Sequence, residues 1–357
     1  MTKKIRCGDL YIGGDFPITI QSMTNTDTRD VKSTLLQIEK LREAGCEIIR
    51  LAVPDMEAAQ AFGEIKTKIK MPMVADIHFD YRLAIEAIKM GADKIRINPG
   101  NIGSVDRVKA VVDMAKSREI PIRIGVNSGS LEKDILEKEG GVTANGLVES
   151  AIRNVRLLED LDFGDIVISL KASDPKMNYD GYMSISKMSD YPLHIGVTEA
   201  GTVSRGKIKS AVGIGALLLA GVGDTMRVSL TGDPVNEIYV AKSILASAGI
   251  KKEAINLVSC PTCGRTCVDL SKITDELEEK LVKVTNERII KGLPELTVAV
   301  MGCVVNGPGE ARSADLGVAC GIGEGLLFIK GKTIRKVKEE EICNSLIDMV
   351  KNYERYV

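Results

Sequence analysis

The sequence predicts a (β/α)8 TIM barrel followed by a small α+β domain, and three observations lead to this fold class. First, β-branched runs alternate with segments of helical periodicity over residues 18–228, which is typical of a barrel of parallel strands. Second, Gly45 and Gly91 suit helix C-termini and are followed closely by the next expected strand. Third, the alternation stops after Gly249. We therefore expect two domains, at residues 1–252 and 253–357.

Eight short runs are the expected barrel strands. They cover residues 18–20, 48–51, 73–75, 95–97, 122–124, 166–168, 194–197 and 226–228. The segments between them carry apolar residues at helical spacing, for example Val105, Val108, Val111 and Val112. An open, doubly wound sheet would show the same alternation, because periodicity does not reveal whether a sheet closes. The count of eight favours the barrel.

The second domain has a different order of elements. A strand at residues 255–258 leads directly into Cys260, and a long amphipathic helix starts near Leu270. Further strands are expected at residues 297–300, 317–319 and 326–329, and a last helix from about residue 339. Strands and helices in this mixture indicate a compact α+β domain.

Charge and hydropathy exclude several classes of protein. The 48 lysines and arginines nearly balance the 49 aspartates and glutamates, so the net charge of −1 argues against a globally basic nucleic-acid-binding protein. No apolar run reaches the ~18 residues of a membrane-spanning helix. The segment after Met1 does not resemble a secretory signal. We expect a cytoplasmic enzyme with neither a nucleic-acid nor a membrane partner.

Polar and charged residues gather where the expected barrel strands end, the edge that carries active sites in this fold. These candidate residues are Arg50, Asp76, His78, Arg96, Asn98, Arg123, Asn127, Lys171, Glu199, Arg227, Ser229 and Thr231. Buried cations are costly unless an anion meets them, and the cations here outnumber Asp76 and Glu199. The surplus predicts a multiply anionic ligand, most simply a diphosphate. The alternative is that these cations pair with neighbouring carboxylates or line a solvated rim.

The cysteines indicate metal or redox chemistry in the second domain. Cys260 and Cys263 stand two residues apart on a turn after a strand, and Cys303 follows another strand, so the three thiolates can reach one metal centre. Spacing leaves open a [4Fe-4S] cluster, a structural zinc with Cys267 as fourth ligand, or a redox dithiol. Outside a zinc site, we expect Cys267 to pack as a small apolar residue on the first turn of the following helix. The remaining cysteines, expected to be structural, are Cys7, Cys46, Cys320 and Cys343.

Six motifs together resemble the bacterial 4-hydroxy-3-methylbut-2-enyl diphosphate synthases over essentially the whole chain. The most specific are Ser-Cys-Pro-Thr-Cys-Gly-Arg at residues 259–265 and Met-Gly-Cys-Val-Val-Asn-Gly-Pro-Gly-Glu at 301–310. The others lie at residues 21–26, 75–79, 96–100 and 124–129.

This resemblance implies an iron–sulfur oxidoreductase. Enzymes of the family open the ring of 2-C-methyl-D-erythritol 2,4-cyclodiphosphate and remove a hydroxyl reductively, using two electrons from flavodoxin or ferredoxin. The step belongs to the methylerythritol phosphate route to isoprenoids. The family also implies a homodimer, in which the cluster domain of one subunit closes the barrel mouth of the other.

The resemblance assigns roles to individual residues. Cys260, Cys263 and Cys303 match the ligands of a [4Fe-4S] cluster, and Glu310 matches the fourth ligand, which leaves the unique iron when substrate oxygen binds. Glu199 matches a catalytic acid. The positions that match the diphosphate-binding residues are Arg50, Arg96, Arg123, Lys171 and Arg227.

Two other classes of function compete with this interpretation. One is a phosphate-binding barrel transferase or lyase with a structural zinc domain. The other is a protein that carries electrons on its cluster without catalysing a reaction.

Overall fold

A β-hairpin opens the chain, an element that the sequence pattern does not predict. In the computed structural model, which describes residues 1–252, 254–303 and 313–356, strands β1 (Ile5–Cys7) and β2 (Leu10–Ile12) pair antiparallel. Their buried side chains pack against Ile48 and Val74 and so cover the end of the barrel where its strands begin. Strands of three residues are too short for alternation to stand out in the sequence.

Eight parallel strands form the predicted barrel. They are β3 (Thr19–Met23), β4 (Ile48–Ala52), β5 (Met73–Asp76), β6 (Lys94–Ile97), β7 (Ile122–Asn127), β8 (Ile166–Lys171), β9 (His194–Ile195) and β10 (Thr225–Met226). They pair in the order β8-β7-β6-β5-β4-β3-β10-β9. A parallel bridge between Ile168 and Leu193 joins the two ends of this order, so the barrel is nearly closed. This confirms the predicted fold class and rules out the open sheet.

Helices cover the outside of the barrel. They are α1 (Val31–Ala44), α2 (Met56–Lys68), α3 (Tyr81–Lys89), α4 (Pro99–Ile102), α5 (Val105–Arg118), α6 (Lys133–Glu139), α7 (Ala144–Glu159), α8 (Pro175–Met188), α9 (Val203–Leu219) and α10 (Val235–Ser247). Side-chain caps define several of their starts: the Asp30 carboxylate accepts from Ser33 N, and that of Asp174 from Met177 N. Gly45, with φ of 104°, ends α1 as predicted.

In its described residues, the second unit contains a five-stranded mixed sheet, a helix of 21 residues and a helix of 10 residues. Its elements are β11 (Ile255–Ser259), α11 (Leu270–Ile290), β12 (Leu296–Met301), β13 (Leu316–Gly321), β14 (Glu324–Ile329), β15 (Lys332–Lys338) and α12 (Ile342–Lys351). The strands lie in sequence order, with β11, β12 and β13 parallel and the last two antiparallel. The chain divides by its internal packing into Met1–Lys251 and Lys252–Val357.

Three differences from the expected elements have local causes. Strand β15 is rich in exposed lysines and lacks an alternating apolar face, so its sequence gives no strand signal. A 3-10 turn occupies Glu339–Glu341, and α12 therefore begins three residues later than predicted. Strands β9 and β10 are shorter than the predicted runs at residues 194–197 and 226–228, because only two residues of each strand pair with the other. Over the described residues, no helix combines the length and apolar character that crossing a membrane requires.

Candidate active site

The carboxyl ends of the barrel strands surround a polar cavity of about 150 Å³, here called the barrel mouth. Its lining residues are Arg50, Asp76, His78, Arg96, Arg123, Asn127, Ser169, Lys171, Thr198, Arg227 and Ser229. All but Ser169 and Thr198 are among the predicted site residues. Larger surface grooves, of about 530 and 630 Å³, run along α7 and α8, away from the strand ends where the cations converge.

Three of the described candidate residues are not brought into this cavity. The Asn98 side chain instead accepts from Gly100 N at 3.2 Å and so caps α4. Thr231 is exposed and forms a backbone bridge with Thr202. Glu199 is also exposed, in a left-handed backbone conformation with φ of 51° that is costly for a residue with a side chain. Glu310 lies outside the described residues.

Asp76 orients two of the arginines. Arg96 Nη1 donates to Asp76 Oδ1 at 3.2 Å, and Arg50 Nε lies 3.9 Å from Asp76 Oδ2. Burial favours the neutral carboxyl, but the charges of Arg50 and Arg96 and a hydrogen bond from His78 hold the pKa of Asp76 well below its usual range. Asp76 is therefore ionised. The Asn127 amide, with its oxygen towards Arg96, accepts from Nη2 at 3.0 Å.

Glu237 is a functional residue that the sequence pattern misses. Its carboxylate accepts from Arg227 Nε and Nη2, both at 3.1 Å, while Ser22 Oγ donates to Oε2 at 2.9 Å. The partner of Arg227 is thus on α10, ten residues further along the chain, a separation that no strand or helix period reveals. Met23 is a second such residue, since its sulfur accepts a hydrogen bond from Arg50 Nε at 3.0 Å.

Arg123 and Lys171 are the cations left without a carboxylate. Both are buried, at 1% and 7% exposure, and neither forms an ion pair among the described residues. Burial lowers the pKa of Lys171 well below the usual lysine value, and the charges of Arg123, Arg50, Arg227 and Arg96 lower it further. Five cations therefore face two carboxylates, Asp76 and Glu237, so the mouth is electrostatically suited to a multiply charged anion.

Gly125 makes room for the Arg96 guanidinium. A Cβ atom at this position would overlap Arg96 Nε and stand 2.9 Å from Nη2. We expect Gly125→Ala to displace Arg96 from Asp76 and to lower kcat/KM for an anionic substrate by about 100-fold. Steady-state kinetics measure the effect. Gly215→Ala is the matched control, because Gly215 lies on α9 and a Cβ atom there would meet nothing within 4 Å. Unchanged kinetics in Gly125→Ala would show that the position of Arg96 does not affect catalysis.

The cysteine-bearing turns follow neighbouring parallel strands. Strand β11 pairs with β12 with Ser259 opposite Val300, so Cys260 and Cys303 emerge at the same edge of the sheet. Both thiols are buried, and Gly302 N donates to Cys260 Sγ at 3.2 Å. The backbone of Arg265 lowers the pKa of the exposed Cys263 thiol. The hydrogen bond from Gly302 to Cys260 and the lowered pKa of Cys263 are the two features at these turns that suit cysteines as metal ligands.

The structure corrects the expectation for Cys267. This thiol is exposed and lies three residues before α11 begins at Leu270, so it does not pack on the first helical turn. Its Sγ instead donates to Arg265 O at 3.2 Å. Among residues 1–252, 254–303 and 313–356, no three His, Cys, Asp or Glu side chains are grouped as the ligands of one metal ion. The cysteines expected to be structural, Cys7, Cys46, Cys320 and Cys343, are all buried.

Fold and site together define a class: a TIM-barrel protein with a cation-rich mouth, joined to a smaller unit with cysteines at one edge of its sheet. Family models agree with this description. The GcpE TIM-barrel domain matches residues 2–242, and the GcpE protein C-terminal domain matches residues 256–352. The chain therefore belongs to the GcpE family, and the resemblance found in its motifs is confirmed.

Curated relatives are similar over almost their full length. The chain is 61% identical to the 4-hydroxy-3-methylbut-2-en-1-yl diphosphate synthase (flavodoxin) of Ruminiclostridium cellulolyticum, over 97% of this chain and 96% of that protein. It is 58% identical to the protein of the same name from Clostridium acetobutylicum, over 98% of both. Among solved structures, the dihydropteroate synthase of Stenotrophomonas maltophilia superposes with a TM-score of 0.50 at 13% identity, covering 70% of this chain and 100% of that one. At that identity, the likeness concerns the fold alone.

Proposed function

We propose that this chain is an iron–sulfur oxidoreductase that converts 2-C-methyl-D-erythritol 2,4-cyclodiphosphate to 4-hydroxy-3-methylbut-2-enyl diphosphate in isoprenoid biosynthesis. The observation that carries the proposal is the barrel mouth, where five cations meet only two carboxylates. A cyclic diphosphate supplies the missing negative charge. The names of the full-length relatives support the same product.

The cations of the mouth divide into two groups with different tasks. Arg50, Arg96 and Arg227 are held by Asp76 and Glu237, so their donors are already oriented before the substrate arrives. Arg123 and Lys171 have no carboxylate partner among the described residues. A phosphate oxygen that binds them therefore offsets the cost of burying their charges. Hydroxyl groups of Ser169, Thr198 and Ser229 complete the lining and can bind the uncharged part of the substrate.

Cys260, Cys263 and Cys303 would hold a [4Fe-4S] cluster, with Glu310 as the proposed fourth ligand. The Gly302 N–H bond to Cys260 Sγ and the lowered pKa of Cys263 support thiolate ligation. Such a cluster, when bound, supplies low-potential electrons and Lewis-acid assistance to a departing oxygen. A carboxylate is a more labile iron ligand than a thiolate, which suits a position that has to be vacated.

Glu310→Ala tests the proposed fourth ligand. We expect this variant to keep its iron and sulfide but to lose most of its turnover, because three thiolates still hold the cluster. Iron and sulfide analysis and an activity assay measure the two properties separately. Loss of the whole cluster would make Glu310 a structural ligand instead.

Several further assignments come from the family and remain proposals. Glu199 is the proposed catalytic acid, and its left-handed backbone is the kind of local strain that functional sites tolerate. Flavodoxin, named for the relatives, or ferredoxin is the proposed electron donor. We also propose a cytoplasmic homodimer in which the cluster domain of one subunit caps the barrel mouth of the other.

Substrate binding is expected to take up a proton at Lys171. The pKa of Lys171 is lowered in the free protein by burial and by the neighbouring cations, and a bound diphosphate favours the ammonium form and raises that pKa. Between the free and bound pKa values, binding therefore consumes protons, and affinity falls as the pH rises. Each phosphorus of the cyclodiphosphate carries one ester bond and one anhydride bond and keeps a single strongly acidic hydroxyl, so the ligand itself contributes no titration near neutral pH. Calorimetry of the oxidised protein in buffers of different ionisation enthalpy measures the uptake, and Lys171→Met should abolish it. An affinity independent of pH would contradict this account.

Metal and sulfide analysis of protein purified without oxygen tests the proposed function against its rival. We expect iron and acid-labile sulfide in equal amounts and no stoichiometric zinc. Stoichiometric zinc without labile sulfide would remove the proposal in favour of a phosphate-binding barrel transferase with a structural zinc domain.

A further inference from the structure

The interior of the barrel is unusually polar. In most TIM barrels, branched apolar side chains fill the layers between the strands. Here Thr19, Gln21, Lys94, Arg123 and His194 are all buried on barrel strands, Arg123 at the mouth and the others below it. We call this set the lumen residues. A core of this kind needs polar partners inside the barrel.

Strand register shows that the lumen residues face the barrel axis. Thr225 pairs with Thr19 on one side and with His194 on the other, so the three point to the same face. Lys94 lies two residues before Arg96, which lines the mouth, and so projects inward one layer below it. Arg123 belongs to both layers, since it also lines the mouth.

Most polar atoms of the lumen residues have no partner. Over the described part of the chain, the buried atoms without a hydrogen bond include Thr19 Oγ1, both amide atoms of Gln21, Lys94 Nζ, Arg123 Nε and Nη1, and His194 Nε2. An unmade hydrogen bond leaves the desolvation cost of each buried polar group uncompensated, and ordered water is a usual partner of buried polar atoms that lack a protein partner. So many unpartnered atoms in one interior are a strong sign that water occupies it.

We propose that the barrel lumen holds a column of ordered water that carries protons to the substrate site, with Lys94, His194 and Lys171 as its titratable members. The column begins near Lys94, beside the hairpin that covers the barrel end, and reaches Arg123 and Lys171 at the mouth. His194 stands between these ends: its Nδ1 lies 3.4 Å from Thr225 Oγ1, and its Nε2 is unpartnered. A neutral imidazole accepts a proton at one nitrogen and donates from the other, which is what a relay requires.

The proposed reaction needs such a supply of protons, and this inference rests on that proposed function. Ring opening breaks one carbon–oxygen bond to phosphate, a hydroxyl leaves as water, and a carbon–carbon double bond forms. The change takes two electrons from the donor and one proton to convert the leaving hydroxide into water. If a cluster domain covers the mouth during turnover, bulk water no longer reaches the substrate from above, and the proton is then supplied by Lys94 through the lumen.

The charges around the relay set its protonation state. His194 is surrounded by Arg123, Lys171, Lys94 and Arg50, and burial together with these cations keeps its pKa well below the usual histidine value. Burial also lowers the pKa of Lys94 to about 8, a shift opposed by Cys7 and Asp93 and reinforced by Arg123 and Arg50. Lys94 can therefore exchange a proton near neutral pH, while His194 relays as the neutral ring.

A high-resolution crystal structure tests the water column independently of any activity. We expect ordered waters within hydrogen-bonding distance of Lys94 Nζ, Gln21 and His194 Nε2. A lumen without water, in which these side chains bond to one another, would overturn the proposal even if the enzyme turns over the cyclodiphosphate.

Kinetics in light and heavy water test proton transport. Lys94→Met and His194→Gln should lower kcat at least about 10-fold and enlarge the solvent isotope effect, with unchanged cyclodiphosphate affinity and iron content. Cys46→Ala, at a buried thiol outside the lumen, is the control for general destabilisation. If His194→Gln does not fold, Lys94→Met alone tests whether the lumen carries protons to the substrate site. Wild-type isotope effects and rates in the folded variants would overturn the relay, whereas an inactive wild-type protein would refute the proposed function itself.

Discussion

Replacing Arg123 with methionine is expected to lower kcat/KM for the cyclodiphosphate by about 1000-fold, because a charge-assisted pair of bonds to phosphate is lost from a buried site. The same variant should unfold at a higher temperature than the wild type. Arg123 is 1% exposed and has no carboxylate partner among the described residues, so its charge destabilises the free protein. Steady-state kinetics and thermal denaturation of the ligand-free protein measure the two effects.

Arg227→Met is the matched control for this combination of lower activity and higher thermal stability. It removes a cation from the same mouth but leaves Glu237, at 3% exposure, without its ion-pair partner. We expect it to weaken substrate binding and also to cost about 3 kcal/mol of folding free energy. A loss of stability in Arg123→Met similar to that in Arg227→Met would show that Arg123 has a structural partner in the free protein.

Cys260→Ser is expected to yield a folded barrel that holds little or no cluster and has no detectable turnover. A serine oxygen is a poorer iron ligand than a thiolate, and the Gly302 N–H loses its sulfur acceptor. Iron and sulfide content, visible absorption and electron paramagnetic resonance measure the loss. Cyclodiphosphate binding to the barrel mouth should persist, since Cys260 belongs to the other unit.

Cys267→Ser provides the control for a neighbouring thiol. Cys267 is exposed, and its Sγ donates to Arg265 O, so its replacement should leave both cluster and activity intact. A cluster-free Cys267→Ser protein would show that Cys267, and not Glu310, completes the ligand set.

The sequence predicts the barrel well because its signals are local and repeated. Each strand is a short apolar run, and residues such as Arg96 and Arg123 can be placed at strand ends by counting along one strand. Two elements escape prediction. The strands of the hairpin, Ile5–Cys7 and Leu10–Ile12, are too short for their alternation to stand out, and the lysine-rich strand β15 has no periodic apolar face.

The candidate site is predicted less completely because its partners come from distant segments. Nothing near Arg227 in the sequence indicates that Glu237 on α10 binds it, and Asn98 has the right spacing but turns to cap α4. The sequence predicts a surplus of cations at the strand ends, and the structure shows how the cations are compensated. Among the described residues, Arg123 and Lys171 have no ion-pair partner, whereas Asp76 and Glu237 compensate the others.

A single-turnover experiment without oxygen tests the central claim most directly. The protein, with its iron and sulfide complete and reduced by flavodoxin, is mixed with the cyclodiphosphate, and the products are identified by mass spectrometry. We expect 4-hydroxy-3-methylbut-2-enyl diphosphate, one molecule for every two electrons consumed. Recovery of unchanged cyclodiphosphate from fully loaded, reduced protein would contradict the proposed function.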